Sequence, residues 1–382
     1  MECLFYSSTS FITPVYVVFL LHKGLNYKGV ALVDGFFMVS TALLDYPTGG
    51  LADKYGRGPT TALACFFFGL GLFSYSLSTN LFHFLISEFL AAIGSALYSG
   101  SFLAWLVDSL KSEGRGEGLA AVLGWSRVLS LTVSMVGGVV GGVMAEHKLE
   151  LPFLVGACWA FAAGILTLVL TKGRGELKGR KERKYLDFLK EGLKVLFAQK
   201  ALMMITFGSF FVALGIPNFT LTWAPYMESL GAGRWLLGAA SSFLIGGMGL
   251  GSYLGGRLPK RLGYKATILL STASMALSFS SLTLVNDPLA FLFLSLPFEI
   301  GFGAMTPALN AWLNEYIPSE ERATVISLRR TLTLPFSALG IGLMGALSDL
   351  ASPRLAYVAG LGALTMAFLV YMKVPKGAND DD

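Results

Sequence analysis

Apolar runs of about twenty residues follow one another along this chain with little between them. That recurrence constrains the fold more than any single motif. A run of ~20 apolar residues in helical form crosses the hydrocarbon core of a bilayer, where a helix satisfies its own backbone groups. Such runs cover 4–21, 30–52, 60–79, 82–109, 118–144 and 151–171, then 200–227, 235–257, 266–285, 288–313, 323–348 and 354–373. Charged residues make up only 14% of the chain and hydrophobic ones 54%, against about 25% and about 45–50% in soluble domains. A soluble core of this length would lack the polar residues to clothe it.

The twelve runs form two groups of six, separated by one long polar stretch from Lys172 to Gln199. The net charge of +5 is spread between the runs, with no basic domain of its own. This favours a bilayer surface over nucleic acid as the partner. Cys3, Cys65 and Cys158 sit in apolar runs at unpaired spacing, so no disulfide, metal or cofactor is expected. The first run has neither a basic leader nor a small-residue cleavage site, and reads as a retained span. With both ends placed inside, twenty-one Lys and Arg fall in inner loops and five in outer ones. The bias expects a multi-pass protein of the cell membrane with both termini cytoplasmic.

Gly49 to Pro59, between the second and third runs, packs three charges and four glycines into one turn, Gly-Gly-Leu-Ala-Asp-Lys-Tyr-Gly-Arg-Gly-Pro. A shift of 207 residues lays Gly49 on Gly256, Asp53 on Lys260 and Gly56 on Gly263. It also lays Ile93-Gly94 on Ile300-Gly301 and Ala104-Trp105-Leu106 on Ala311-Trp312-Leu313. The chain is therefore read as a duplication. It is expected to be an all-α integral membrane protein of twelve transmembrane helices in two pseudo-symmetric six-helix bundles. These bundles are 1–171 and 200–382, joined by a cytoplasmic linker at 172–199.

Two six-span halves, a basic central loop and the turn at Gly50, Asp53, Lys54, Gly56 and Arg57 resemble the major facilitator superfamily, in its drug:proton antiporter-like branch. The resemblance covers essentially the whole chain. It implies alternating access, in which two halves rock about a site near the bilayer midplane. It also implies that the turn is a cytoplasmic gating latch, with Asp108 at the end of the fourth span as partner of Arg57. Gly137-Gly138-Val-Val-Gly141-Gly142 resembles the family's antiporter signature, with Gly138 where proline is expected. Helix packing explains the same glycines.

Four acids lie within spans, where an ionisable group is costly and usually functional. Glu88 and Glu299 fall two to three turns into the fourth and tenth spans, which line the cavity in the family. The repeat maps Glu299 four residues from Glu88, on the same helix face. Asp34 and Asp45 lie in the second span. All four are candidates for proton coupling, although Glu88 stands six residues before Gly94 of Ile-Gly, where the family often carries arginine, so that arginine's proton role does not carry over to it. Arg127, Arg329 and Arg330 sit about two turns inside their spans, as partners of Asp45 or as contacts for a substrate anion. Pro14 and Pro217 correspond under a shift of 203 and are expected to bend the first and seventh spans alike. Substrate-cavity candidates are Tyr16, Arg127, Asn218, Trp223, Tyr226 and Arg330.

A nucleotide-binding Gly-x4-Gly-Lys-Ser/Thr loop is missing from the sequence, which argues against ATP as the driver. The expected function is transport, not catalysis: proton-coupled export of a small hydrophobic or amphipathic solute by a monomer. The alternatives are an uptake symporter of a small organic solute and a non-transporting receptor of the same fold.

Overall fold

The structure, a computed structural model, describes residues 2–112, 119–171, 193–317 and 321–375. It leaves out the side chains at 2–3, 46–47, 49–50, 53, 103–104, 108, 111–112, 119–121, 123, 127 and 323–324. The described chain is helical. The first group is α1 (Glu2–Ser10), α2 (Tyr16–His22), α3 (Tyr27–Tyr55), α4 (Arg57–Leu77), α5 (Leu81–Ser112), α6 (Leu119–His147) and α7 (Leu151–Thr171). The second is α8 (Lys200–Ser229), α9 (Arg234–Arg257), α10 (Pro259–Leu282), α11 (Pro288–Tyr316), α12 (Arg322–Leu350) and α13 (Pro353–Met372). Among the described residues, ten helices are long and apolar enough to cross a membrane. The α1–α2 pair and the more polar α10 complete twelve spans.

Helix starts are marked locally. Asn26 Oδ1 accepts from the Gly29 N–H at 2.9 Å and opens α3. Asp287 Oδ1 accepts from the Ala290 N–H at 2.8 Å, with Pro288 as the first helical residue of α11. Such caps stabilise a helix by about 1 kcal/mol, and proline at the first position forfeits no intrahelical bond. The two prolines expected to act alike do not. Around Pro14 the chain leaves the helix over residues 11–15, splitting the first span into α1 and α2, whereas Pro217 stays inside a continuous α8. Turn bonds such as Val15 N–H to Ile12 O, at 2.9 Å, replace the helical ladder at the first break.

The chain divides into two compact units, residues 1–180 with 232–242, and residues 181–231 with 243–382. Within the first, α4 packs on α5 and α7, and α1 on α6 and α7. Within the second, α10 packs on α11 and α13, and α8 on α12 and α13. The duplication seen in the sequence thus recurs as the same set of packed pairs. Gly56 (φ +96°) separates α3 from α4, and Gly263 (φ +78°) breaks α10 near its start. A residue with a Cβ would be strained at either position. Gly94 lets α5 approach α4, since a Cβ there would lie 2.5 Å from the Phe68 nitrogen. Its counterpart Gly301 does the same between α11 and α10, with a Cβ 2.6 Å from Ser271 O.

Hydroxyls join the helices inside each unit, as in the Thr61–Ser101 bond at 2.9 Å and the Thr222–Tyr357 bond at 2.9 Å. Large apolar side chains such as Leu43, Trp125, Leu284 and Leu350 are exposed. That surface suits lipid rather than water.

Candidate functional site

The first unit gathers four helices around two carboxyl groups. Tyr16 opens α2, Asp34 lies two turns into α3, Tyr75 lies in the last turn of α4, and Glu88 lies two turns into α5. Tyr16 Oη stands 2.8 Å from Asp34 Oδ1 and 2.9 Å from Glu88 Oε1. Tyr75 Oη donates to the same Glu88 oxygen at 2.5 Å, and the two phenol oxygens are 3.2 Å apart. Glu88 is 7% exposed, and no base contacts either carboxyl among the described residues.

The hydrogen count is informative. Four oxygen–oxygen contacts share two phenolic hydrogens. With both carboxyls ionised, Tyr75 serves Glu88 and Tyr16 serves one acid, leaving the other acid facing a lone pair. One further proton, on Asp34 or Glu88, completes a chain from Asp34 through Tyr16 to Glu88. Asp34, Glu88 and Tyr16 were each legible in the sequence, but Tyr16 as a cavity residue. Tyr75 was missed, because an aromatic at a helix end carries no mark that separates it from packing.

The other acids lie elsewhere. Asp45, farther along α3, is exposed and accepts from Ser99 Oγ at 2.8 Å. Glu299, on α11 of the second unit, has its Cβ 3.6 Å from the position a Cβ would take on Gly247 of α9. Among the described residues it has no hydrogen-bond or ion-pair partner.

The turn expected to latch lies at the far end of α3, roughly 30 Å from Asp34 by helix rise. Gly50 and Asp53 belong to the last two turns of α3, and Asp108 to the end of α5. The side chains of Asp53 and Asp108 lie outside the described residues, as do that of Arg127 on α6 and the linker through residue 192. Lys54 is exposed, with its Nζ 5.1 Å from the centre of the Tyr55 ring. Gly56 makes the joint, and Arg57 begins α4 half-buried.

The glycine run in α6 serves two neighbours. A Cβ on Gly141 would lie 1.9 Å from Phe11 O, and one on Gly142 would lie 2.6 Å from Arg234 O at the start of α9. That α9 segment belongs to the first unit, where Ser242 Oγ donates to Met135 O at 2.5 Å.

The second unit holds a cavity of about 380 Å³ between α8, α11, α12 and α13. Arg329 lines it, with Asn310, Thr333 and Ser337, and Val212, Phe302, Met305 and Leu309 supply apolar wall. Of the cavity candidates read from sequence, Tyr16, Asn218, Trp223, Tyr226 and Arg330 fall outside this lining. Arg330 is exposed, Trp223 and Asn218 are buried, and both polar atoms of the Asn218 amide lack a partner among the described residues. Tyr226 belongs to a corner, where its hydroxyl donates to Val285 O at 3.1 Å and accepts from Arg354 Nε at 2.6 Å. Adjacent positions on a helix point about 100° apart, and helices this uniformly apolar give no phase by which to choose Arg329 over Arg330.

Comparison with known proteins accords with this architecture. A family model described as Major Facilitator Superfamily matches residues 1–334 and again 216–381. The uncharacterized MFS-type transporter YxaM of Bacillus subtilis (strain 168) is 22% identical over 377 residues, covering 95% of this chain and 89% of that protein. Multidrug resistance protein 1 of the same organism is 23% identical over 325 residues, covering 81% and 78%. The crystal structure of the nucleoside transporter NupG superposes with a TM-score of 0.82 at 13% identity, covering 98% of this chain and 96% of that one. Twelve spans, a repeated set of packed helix pairs and a family match over nearly the full length agree, and the chain belongs to the major facilitator superfamily.

Proposed function

We propose that this transporter couples export of a small amphipathic solute to inward movement of protons, and that Asp34, Tyr16, Glu88 and Tyr75 form its proton site. The observation that carries this reading is the hydrogen count: the buried Glu88 carboxyl and the half-buried Asp34 carboxyl are bridged by one hydroxyl, with room for one more proton. Like charges repel strongly in a low-dielectric surrounding, and a single proton relieves them. Because the four groups come from α2, α3, α5 and α4, gaining or losing that proton makes or breaks a tie across four helices. A proton can bias a conformational equilibrium only through such differential contacts.

The wider reading keeps the cell membrane as the site and both termini cytoplasmic. It takes 1–171 and 200–382 as the two moving bodies of a monomer, with the 49–59 turn as the gate. Export is supported by a relative named for multidrug resistance. The test is flux of labelled solutes from proteoliposomes under an imposed pH gradient. Wild type should accelerate flux with the gradient. Asp34→Asn and Glu88→Gln, which imitate the protonated state, should each still exchange solute but lose at least tenfold of the gradient's effect. Gradient-driven flux intact in the double variant would reject the proton site, and wild-type flux indifferent to pH would reject coupling.

A further inference from the structure

Among the described residues of the second unit, the half-buried cation Arg329 has no counter-charge. Arg329 offers five N–H donors, and among the described residues only one finds an acceptor, Nη2 to Ser209 Oγ at 2.7 Å. Its Nε is buried with no partner. Ser209 is already saturated: its own hydrogen goes to Ile205 O at 2.9 Å, and Tyr371 Oη stands 3.2 Å from the same oxygen. Ser209 therefore acts as a bracket. It holds one edge of the guanidinium and leaves the other donors of a cavity-lining side chain unused.

A guanidinium in an apolar bundle is expensive without an anion. The cavity lining contains no acid. Its formal charge is +1, which one singly charged anion neutralises and a phosphate dianion would overshoot. Asn310 and Ser337 add donors that a planar carboxylate can use beside Arg329. Val212, Phe302, Met305 and Leu309 offer a wall for hydrocarbon. At about 380 Å³ the space lies in the range of small-ligand pockets.

We infer that the Arg329 cavity binds a small amphipathic organic monocarboxylate, with the carboxylate on Arg329 and the apolar body against α8 and α11. This rests on the transport reading above and assigns the solute class it left open.

The test measures binding at equilibrium, without a gradient, to the purified full-length protein in nanodiscs of zwitterionic lipid at neutral pH. Calorimetry compares hexanoate with hexanol, hexylammonium and inorganic phosphate. Hexanoate should bind at least tenfold tighter than each of the other three. Arg329→Gln should weaken hexanoate at least tenfold and Arg329→Lys by less, while Met305→Trp should block it by filling the wall. If Arg329→Gln does not fold, the wild-type ligand series and Met305→Trp decide the matter. Equal affinity for hexanol, tighter binding of hexylammonium or phosphate, or unchanged hexanoate binding in Arg329→Gln or Met305→Trp would overturn the assignment. Because no proton gradient enters this experiment, its failure leaves the proton site standing. Loss of pH-driven flux with hexanoate binding intact would reject coupling alone.

Discussion

Tyr16 Oη lies 2.8 Å from Asp34 Oδ1, while the same oxygen is 2.9 Å from Glu88 Oε1. One hydroxyl on α2 thus links acids on α3 and α5 that are 54 residues apart. The Tyr16 hydrogen serves one acid and its lone pair receives the further proton from the other, so both halves of the link pass through Tyr16.

Tyr16→Phe should keep the ring and its edge-on packing with Tyr75, at 5.9 Å between centroids, yet sever the bridge. Hydrogen bonds to charged groups contribute about 1.5–3 kcal/mol, so the melting temperature should fall by several degrees. Gradient-driven flux should fall at least tenfold, while gradient-free exchange falls less. Flux assays and thermal unfolding on one preparation check both. Equal loss of the two fluxes would indicate a structural role only.

Gly56→Ala and Gly263→Ala test the repeated joint. Both glycines have positive φ, +96° and +78°, and holding alanine in such a region costs about 1–3 kcal/mol. Each substitution should lower thermal stability by a comparable amount. Since the two sites sit in different units, the double variant should lose close to the sum, within about 0.5 kcal/mol. Denaturation of the single and double variants measures this directly.

Lys23 Nζ meets Glu150 Oε1 at 2.6 Å, tying the end of α2 to the turn before α7. The bond from Lys23 holds the Glu150 carboxyl below its ordinary range. A carboxyl with a depressed folded-state pKa adds stability above its unfolded value and loses it as pH falls through the folded one. The pair is partly exposed, so its contribution is about 0–1 kcal/mol. Glu150→Gln should melt slightly lower than wild type at neutral pH. The two curves should converge as the pH falls through and below the usual carboxylate range, and at high salt.

The span count and most span ends were legible because both follow from local rules. A helix must cover the bilayer thickness, and Asn26, Pro288 and Pro353 mark starts wherever they stand. The α1–α2 break was not legible. Pro14 and Pro217 are alike in sequence, and only the neighbouring packing decided that one interrupts a helix and the other is absorbed. Asp34 and Glu88 could be singled out because an acid in an apolar run is conspicuous. Tyr75 could not, since its hydroxyl matters only through what it reaches.

From sequence alone came the membrane class, the duplication with its shift of 207, and the turn that resembles the superfamily's. All three rest on periodicity and spacing along the chain, and these survive any arrangement of the helices. Tertiary structure alone decided that Tyr16 bridges Asp34 and Glu88, and that Arg329 rather than Arg330 faces a cavity. Helices apolar on every side carry no stripe to show which face is inward. Their rotational setting comes from side-chain packing with neighbours distant in sequence, and that setting selects which polar groups meet.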